Sequence, residues 1–144
     1  ANTFVSGVQT SDNRDRVQYD EDYWSGGRFG VVVDLETSVV NGSIRGFARD
    51  GFGNTDTLID IERVDGTRFA DTLTGSSVDN VLGGDAGRDT YDGGAGFDAI
   101  EFGRNSTDTA MSGVNVNLAL ASGQVINDGF GNTENAISIE ELRG

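Results

Sequence analysis

Four side chains that carry oxygen recur every nine residues in the middle of this chain. They are Asp71, Asn80, Asp89 and Asp98. Carboxylate and amide oxygens suit hard cations such as calcium, whereas zinc and copper sites usually use nitrogen or sulfur ligands. The chain contains no histidine and no cysteine. It therefore lacks the usual transition-metal ligands and the usual general base, and the chemistry that these residues favour is the binding of a hard cation.

The same interval defines a repeat that runs from Gly66 to Glu101. Written in nines, this segment reads GTRFADTLT, GSSVDNVLG, GDAGRDTYD, GGAGFDAIE. Glycine opens each copy, and it accepts the positive φ angles of a bend without steric cost. The oxygen-bearing residue holds position six. Position eight is a large apolar residue in every copy, namely Leu73, Leu82, Tyr91 and Ile100.

The last two copies match a known motif. The fourth fits the pattern GGxGxDxUx, where U is a large apolar residue, at every position, and the third departs from it only where Asp85 replaces the second glycine. The segment 66–101 resembles the RTX (repeats-in-toxin, or hemolysin-type) calcium-binding repeat. This resemblance implies a parallel β-roll or β-helix with short strands and calcium-binding glycine-rich turns. Each nonapeptide would make half a turn, with position eight pointing inward.

The resemblance also implies which residues bind calcium. Alternate copies stack on one edge of such a coil, where strands lie about 4.8 Å apart. Calcium–oxygen bonds are about 2.3–2.6 Å long, so a cation between two stacked loops reaches both. In the family, the earlier loop supplies the carbonyls of positions two and four, the later loop those of positions one and three, and both supply side chain six. The implied ligands are Thr67, Phe69, Asp71, Gly84, Ala86 and Asp89 in one site, and Ser76, Val78, Asn80, Gly93, Ala95 and Asp98 in the other.

The first two copies depart from the family pattern at specific positions. Asn80 replaces a carboxylate, which weakens the second site, and Phe69 and Val78 stand where the family has glycine. Upstream, Glu62 and Val64 hold positions six and eight of a fifth, degenerate copy of the repeat. Two carboxylates about 5 Å apart would repel each other by roughly 3 kcal/mol at an effective dielectric near 20. We therefore expect the metal-free fold to be destabilised and the calcium-loaded fold to be stable.

A longer repeat flanks the nonapeptide repeats on both sides. The segment Asp50–Thr55 recurs letter for letter as Asp128–Thr133, and 15–66 and 98–144 are related flanking copies. Short apolar runs at 31–33 and 114–118 predict further strands, so we expect an all-β chain. We treat 1–144 as one module. The phase of the repeats at its two ends leads us to expect that it is cut from a longer tandem array, whose neighbouring repeats would contact it.

Composition supports a cation partner and argues against others. The chain has 24 Asp and Glu against 10 Lys and Arg, a net charge of −14, which should repel nucleic acid and anionic lipid. No apolar run approaches the roughly 18 residues of a membrane span. The RTX resemblance implies a bacterial protein that leaves the cell by type I secretion and folds outside it. We therefore expect a non-catalytic, calcium-stabilised structural module, secreted and extracellular, and a monomer.

Two alternatives remain open from the residues. The chain could belong to a secreted enzyme, with paired carboxylates for glycoside hydrolysis drawn from Asp20, Glu21 and Asp22, but without histidine or cysteine no nucleophile can be activated in the usual way. It could instead belong to an adhesin that binds polysaccharide or a surface, with Tyr23 and Trp24 contacting sugar.

Overall fold

The chain is built from short β-strands. The computed structural model describes residues 3–5 (backbone only), 15–22, 25–103 and 113–144. The strands are β1 Thr3–Val5, β2 Arg16–Gln18, β3 Val32–Val40, β4 Ser43–Arg49, β5 Thr55–Ile59, β6 Arg63–Asp65, β7 Thr72–Ser76, β8 Val81–Gly83, β9 Thr90–Gly94, β10 Ala99–Glu101, β11 Asn115–Val116, β12 Val125–Asn127, β13 Asn135–Ile137 and β14 Glu141–Arg143. A 3₁₀ turn covers Asp20–Asp22. The expected all-β class is confirmed.

Successive strands of the nonapeptide segment lie in two different sheets. β6, β8 and β10 belong to a five-stranded sheet of order β14-β10-β8-β6-β2, in which every pairing is parallel. β7 and β9 belong to a seven-stranded sheet of order β1-β5-β4-β3-β7-β9-β13. Leu73 pairs with Tyr91, and Leu82 pairs with Ile100. Alternate copies of the repeat therefore lie side by side, as the repeat length predicts.

The apolar residues at position eight form the centre of the core. Side chains from both sheets meet in one buried cluster, and its central members are 0–1% exposed: Val64, Leu73, Leu82, Tyr91 and Ile100. Burying a side chain of this size contributes about 1.5–3 kcal/mol. The inward direction expected of position eight is confirmed. The core therefore holds the two edges of the repeat segment at a fixed distance from each other.

The sheets are mixed, so the expected parallel arrangement is only partly correct. β3 and β4 pair antiparallel, as do β4 and β5, and β11 and β12. The hairpin between β3 and β4 turns at Asn41 and Gly42, whose φ angles are 55° and 87°. Asn-Gly is the pair that favours a two-residue turn between antiparallel strands. Within the described residues the sheets do not close into a continuous roll or solenoid. No helix in that part of the chain is long and apolar enough to cross a membrane.

The two copies of the sequence DGFGNT fold alike. In the first, the Asp50 carboxylate accepts hydrogen bonds from the backbone N–H groups of Phe52 and Asn54 at 3.0 and 2.7 Å. In the second, Asp128 accepts the same pair of bonds, at 2.8 and 2.9 Å. The aspartate thus caps its own loop in both places, which explains why this residue opens both copies.

Candidate metal centre

The four oxygen-bearing residues of position six are buried at the two edges of the repeat segment. Each precedes the first residue of a strand, and their exposed fractions are only 0–2%: Asp71, Asn80, Asp89 and Asp98. Ionised carboxylates are seldom fully buried unless they are paired or bound to a metal. Among the described residues, no ion pair reaches these three aspartates. Their burial therefore needs another explanation.

Direct hydrogen bonds connect the residues that the sequence predicts to stack. The backbone N–H of Asp71 donates to Oδ1 of Asp89 at 2.8 Å. On the other edge, the backbone N–H of Asn80 donates to Oδ1 of Asp98 at 2.7 Å. Both pairs are 18 residues apart, two repeats along the chain. The predicted pairing of alternate loops is confirmed, while calcium binding by these loops stays a prediction.

Each earlier loop also folds around its own position-six side chain. The Asp71 carboxylate accepts hydrogen bonds from the backbone N–H and the hydroxyl of Thr67 at 2.7 and 2.8 Å, and from the N–H of Val31 at 2.7 Å. Asn80 accepts the corresponding bonds from Ser76 at 2.6 and 3.0 Å. The bends of the first two copies are therefore held by side chain six even though these copies lack most of the glycines.

The backbone angles divide the copies into two groups. In the third and fourth copies, positions two and four have positive φ, at Asp85, Gly87, Gly94 and Gly96. In the first and second copies, no residue at these positions has positive φ, and Phe69 and Val78 replace the glycine of position four. The earlier loop of each predicted site therefore differs in backbone conformation from the later loop.

The predicted carbonyl ligands nevertheless lie at the contact between stacked loops. A Cβ atom at Gly87 would lie 2.5 Å from the Phe69 oxygen, and one at Gly96 would lie 3.0 Å from the Val78 oxygen. The N–H of Ala95 donates to the Ser76 carbonyl at 3.0 Å. Loop 84–89 thus packs on loop 66–71, and loop 93–98 packs on loop 75–80.

One further acid at the end of each edge does not follow from the nonapeptide spacing. On the second edge, the N–H of Asp98 donates to the Glu140 carboxylate at 2.9 Å. On the first edge, Glu134 immediately precedes β13, which pairs with β9, so its position is next to Asp89. Glu140 is the counterpart of Glu62 in the longer repeat, and that correspondence could have identified it. Glu134 has no counterpart in the nonapeptide repeats.

Glu134 and Asp89 form the most strongly perturbed pair of acids. Glu134 is 1% exposed, and neither of its carboxylate oxygens has a hydrogen-bond partner among the described residues. Burial raises the pKa of both carboxyls; the charge of Asp71 raises that of Asp89 further, and the charge of Asp89 raises that of Glu134 further. Burial also raises the pKa of Asp71 to about 7 and that of Asp98 to about 6. Buried carboxylates that lie close together repel each other, and either a bound proton or a bound cation reduces the free-energy cost of that repulsion.

The donor set fits calcium better than it fits other metals. Within the described ranges, no three His, Cys, Asp or Glu side chains form a group arranged to hold a metal. Each implied site contributes only two side chains, and its remaining ligands are backbone carbonyls. Oδ2 of Asp98 is buried without a partner in the described chain, so it is available to a cation. A flexible all-oxygen site of this kind favours calcium over zinc, copper and magnesium.

Comparison with known proteins adds no relative. No protein-family model matches the chain, and neither the curated proteins nor the solved structures contain a match. Of the residues considered for other functions, Tyr23 and Trp24 lie outside the described part of the chain. Asp20, Glu21 and Asp22 form the 3₁₀ turn after β2.

Proposed function

We propose that this chain is a non-catalytic, calcium-binding and calcium-stabilised structural module of a secreted bacterial protein. The observation that carries the proposal is the stacking of buried oxygen-bearing residues from alternate repeats, with Asp71 beside Asp89 and Asn80 beside Asp98. Among the described residues, neither pair forms an ion pair with a cationic side chain that could neutralise its charge. A bound cation between the loops would neutralise both.

The finer fold that we propose for 63–101 is a parallel β-roll. The alternation of β6 to β10 between two sheets and the inward position of every eighth side chain support it. The antiparallel hairpin of β3 and β4 would then be an insertion at one side of the roll. In this arrangement the core supplies the apolar contacts, and the two edges supply the cation sites.

The ligands that we assign are those of the two predicted sites. The side chains of Asp71 and Asp89 would hold one calcium ion, together with the carbonyls of Thr67, Phe69, Gly84 and Ala86. The side chains of Asn80 and Asp98 would hold the other, together with the carbonyls of Ser76, Val78, Gly93 and Ala95. Glu134 would add a third carboxyl beside the first site, since the pairing of β13 with β9 places it next to Asp89.

The energetics explain how such a module depends on calcium. Two carboxylates about 5 Å apart repel each other by roughly 3 kcal/mol at an effective dielectric near 20. A ligand present at a hundredfold excess over its dissociation constant adds about 2.7 kcal/mol to the free energy of unfolding. Extracellular calcium modules bind with dissociation constants on the order of 0.1–1 mM. Folding would therefore wait until the chain reaches a calcium-rich medium, which suits export in an unfolded state.

The test is a calorimetric titration of calcium into the metal-free protein. The variant Asp89→Asn removes one charge and keeps an oxygen that can accept the bond from the Asp71 N–H. We expect its calcium affinity to fall at least about tenfold, the lower end of the loss seen when a supporting metal contact is removed. Asp34→Asn is the matched control, since within the described ranges its carboxylate accepts a hydrogen bond only from the nearby N–H of Glu36. If Asp89→Asn binds calcium as the parent does, the proposed function fails.

A further inference from the structure

The five-stranded sheet ends at β14, which pairs only with β10 in the described part of the chain. The N–H of Glu141 donates to the Asp98 carbonyl at 3.0 Å. The Arg143 carbonyl accepts a hydrogen bond from the N–H of Phe102 at 2.8 Å. The backbone groups of Glu141 and Arg143 therefore face β10. Because successive residues of a strand alternate in direction, the N–H and C=O of Leu142 face away from β10.

The last strand of the other sheet differs from β14 in how its edge is covered. β13 ends the seven-stranded sheet, and the N–H of its middle residue, Ala136, donates to the side-chain oxygen of Gln124 at 3.0 Å. Within the described ranges, no group bonds the N–H or the C=O of Leu142 in the same way. An uncovered pair of backbone groups at the edge of a sheet is a template for pairing with another strand.

The side chain of Leu142 leaves apolar surface exposed at this edge. Leu142 pairs in register with Ile100, so the two side chains lie on the same inward face of the sheet. On that face Val64, Leu82 and Ile100 are 0% exposed, whereas Leu142 is 42% exposed. The three buried residues have a strand on each side, and Leu142 has one only on the side of β10. A further strand at this edge would remove both apolar surface and backbone groups from water.

The charges of β14 are complementary to those of a second β14 that runs antiparallel to it. Glu141 and Arg143 lie on the outer face, on either side of Leu142, and form an ion pair at 2.6 Å. In an antiparallel pair centred on Leu142, each Glu141 lies opposite the Arg143 of the other copy, which is a stabilising arrangement. The two Leu142 residues exchange their N–H···O=C bonds. A parallel pair in register would instead place like charges side by side.

We propose that two copies of this chain form a twofold-symmetric dimer by antiparallel pairing of their β14 strands. The five-stranded sheets of the two copies then join into one sheet, and Leu142 of each copy is covered by the other. An interface of this kind uses the same residues on both sides, so it closes at two copies. A dimer replaces the monomer expected from the sequence. The pairing uses no side chain of the two proposed calcium sites, so it is independent of the proposed function.

Sedimentation velocity of the whole chain in calcium should show a monomer–dimer equilibrium that depends on protein concentration. Glu141→Arg leaves arginine at both outer positions of β14, and Arg143→Glu leaves glutamate at both. Each variant alone should dimerise at least about tenfold more weakly, because both symmetry-related pairs become repulsive. Mixing the two variants restores opposite charges across the junction, so a heterodimer should form. Glu21→Arg makes the same change of charge on the exposed turn after β2, and this control should dimerise as the parent does.

Leu142→Pro tests the backbone bonds of the junction independently of charge. The N–H of Leu142 faces away from β10, so proline removes the donor that the dimer needs and leaves the β10–β14 bonds in place. Its circular dichroism should match that of the parent, and its dimer should be about tenfold weaker because two hydrogen bonds are lost. A parent that sediments as a monomer at every concentration, or assembles beyond two copies, would overturn the proposal. Unchanged dimerisation of Glu141→Arg, or no association on mixing it with Arg143→Glu, would also overturn it.

Discussion

The backbone N–H of Asp71 donates a 2.8 Å hydrogen bond to the carboxylate of Asp89, a residue 18 positions later. A carboxylate oxygen has two lone pairs, so this bond leaves one free for a cation. The loop contacts bring two carboxylates together, and among the described residues no ion pair neutralises their charge. We therefore expect a cation to stabilise this stack.

Replacing Asn80 with Asp should strengthen the second site in calcium and weaken the metal-free fold. The change puts a carboxylate opposite Asp98 and removes the amide donor that bonds the Glu62 carbonyl at 3.3 Å. Calorimetric titration should show tighter calcium binding for Asn80→Asp. Thermal unfolding in EDTA should show a lower midpoint than that of the parent. Weaker calcium binding by this variant would mean that loops 75–80 and 93–98 do not share an ion.

Replacing Glu134 with Gln should have the opposite effect on the metal-free protein. The variant removes a buried carboxyl whose pKa is raised by burial and by the charge of Asp89, so the fold no longer has to hold a proton that the unfolded chain has released. We expect the melting temperature in EDTA at pH 8 to rise by about 2–4 °C, the shift that 1 kcal/mol produces in a domain of this size. Glu21→Gln, on the exposed turn, is the control and should not raise it. A lower midpoint for Glu134→Gln would show that the charged form is stabilised.

The metal-free protein should become less stable as the pH rises. In the fold the pKa of Asp71 is about 7 and that of Asp98 about 6, whereas an unfolded Asp titrates near 3.9. Between these values the folded chain holds protons that the unfolded chain has released, so the free energy of unfolding falls with rising pH. Thermal unfolding in EDTA should give a higher midpoint at pH 5 than at pH 8. Asp71→Asn should reduce the difference between the midpoints at pH 5 and pH 8. A parent midpoint at pH 5 that is equal to or lower than that at pH 8 would contradict the raised pKa values.

The interval of nine residues was sufficient to predict which residues stack. Asp71 and Asp89 lie together because each nonapeptide places its successor in the other sheet, and the apolar residue at position eight fixes the direction of each strand. That relationship depends only on periodicity, so the sequence contains it. The inward positions of Leu73 and Tyr91 follow from the same register.

The parts that sequence did not predict depend on contacts that have no period. The apolar run at 31–33 predicts a short strand, but β3 continues to Val40 because Asn41-Gly42 turns the chain back along β4. That dipeptide is the signal that could have predicted the hairpin. Glu134 reaches Asp89 only because β13 pairs with β9 across a long connection. No spacing in the sequence reports such a contact.

The most direct test of the account is the far-UV circular dichroism of the chain during a calcium titration that starts in EDTA. The stacked carboxylates predict a weaker β signal and a lower melting temperature in the absence of the ion, because their repulsion destabilises the metal-free fold. The β signal and the melting temperature should rise as calcium is added, and magnesium at the same concentration should have little effect. Spectra and melting temperatures that are identical with and without calcium would contradict the claim that these loops bind the ion on which the fold depends.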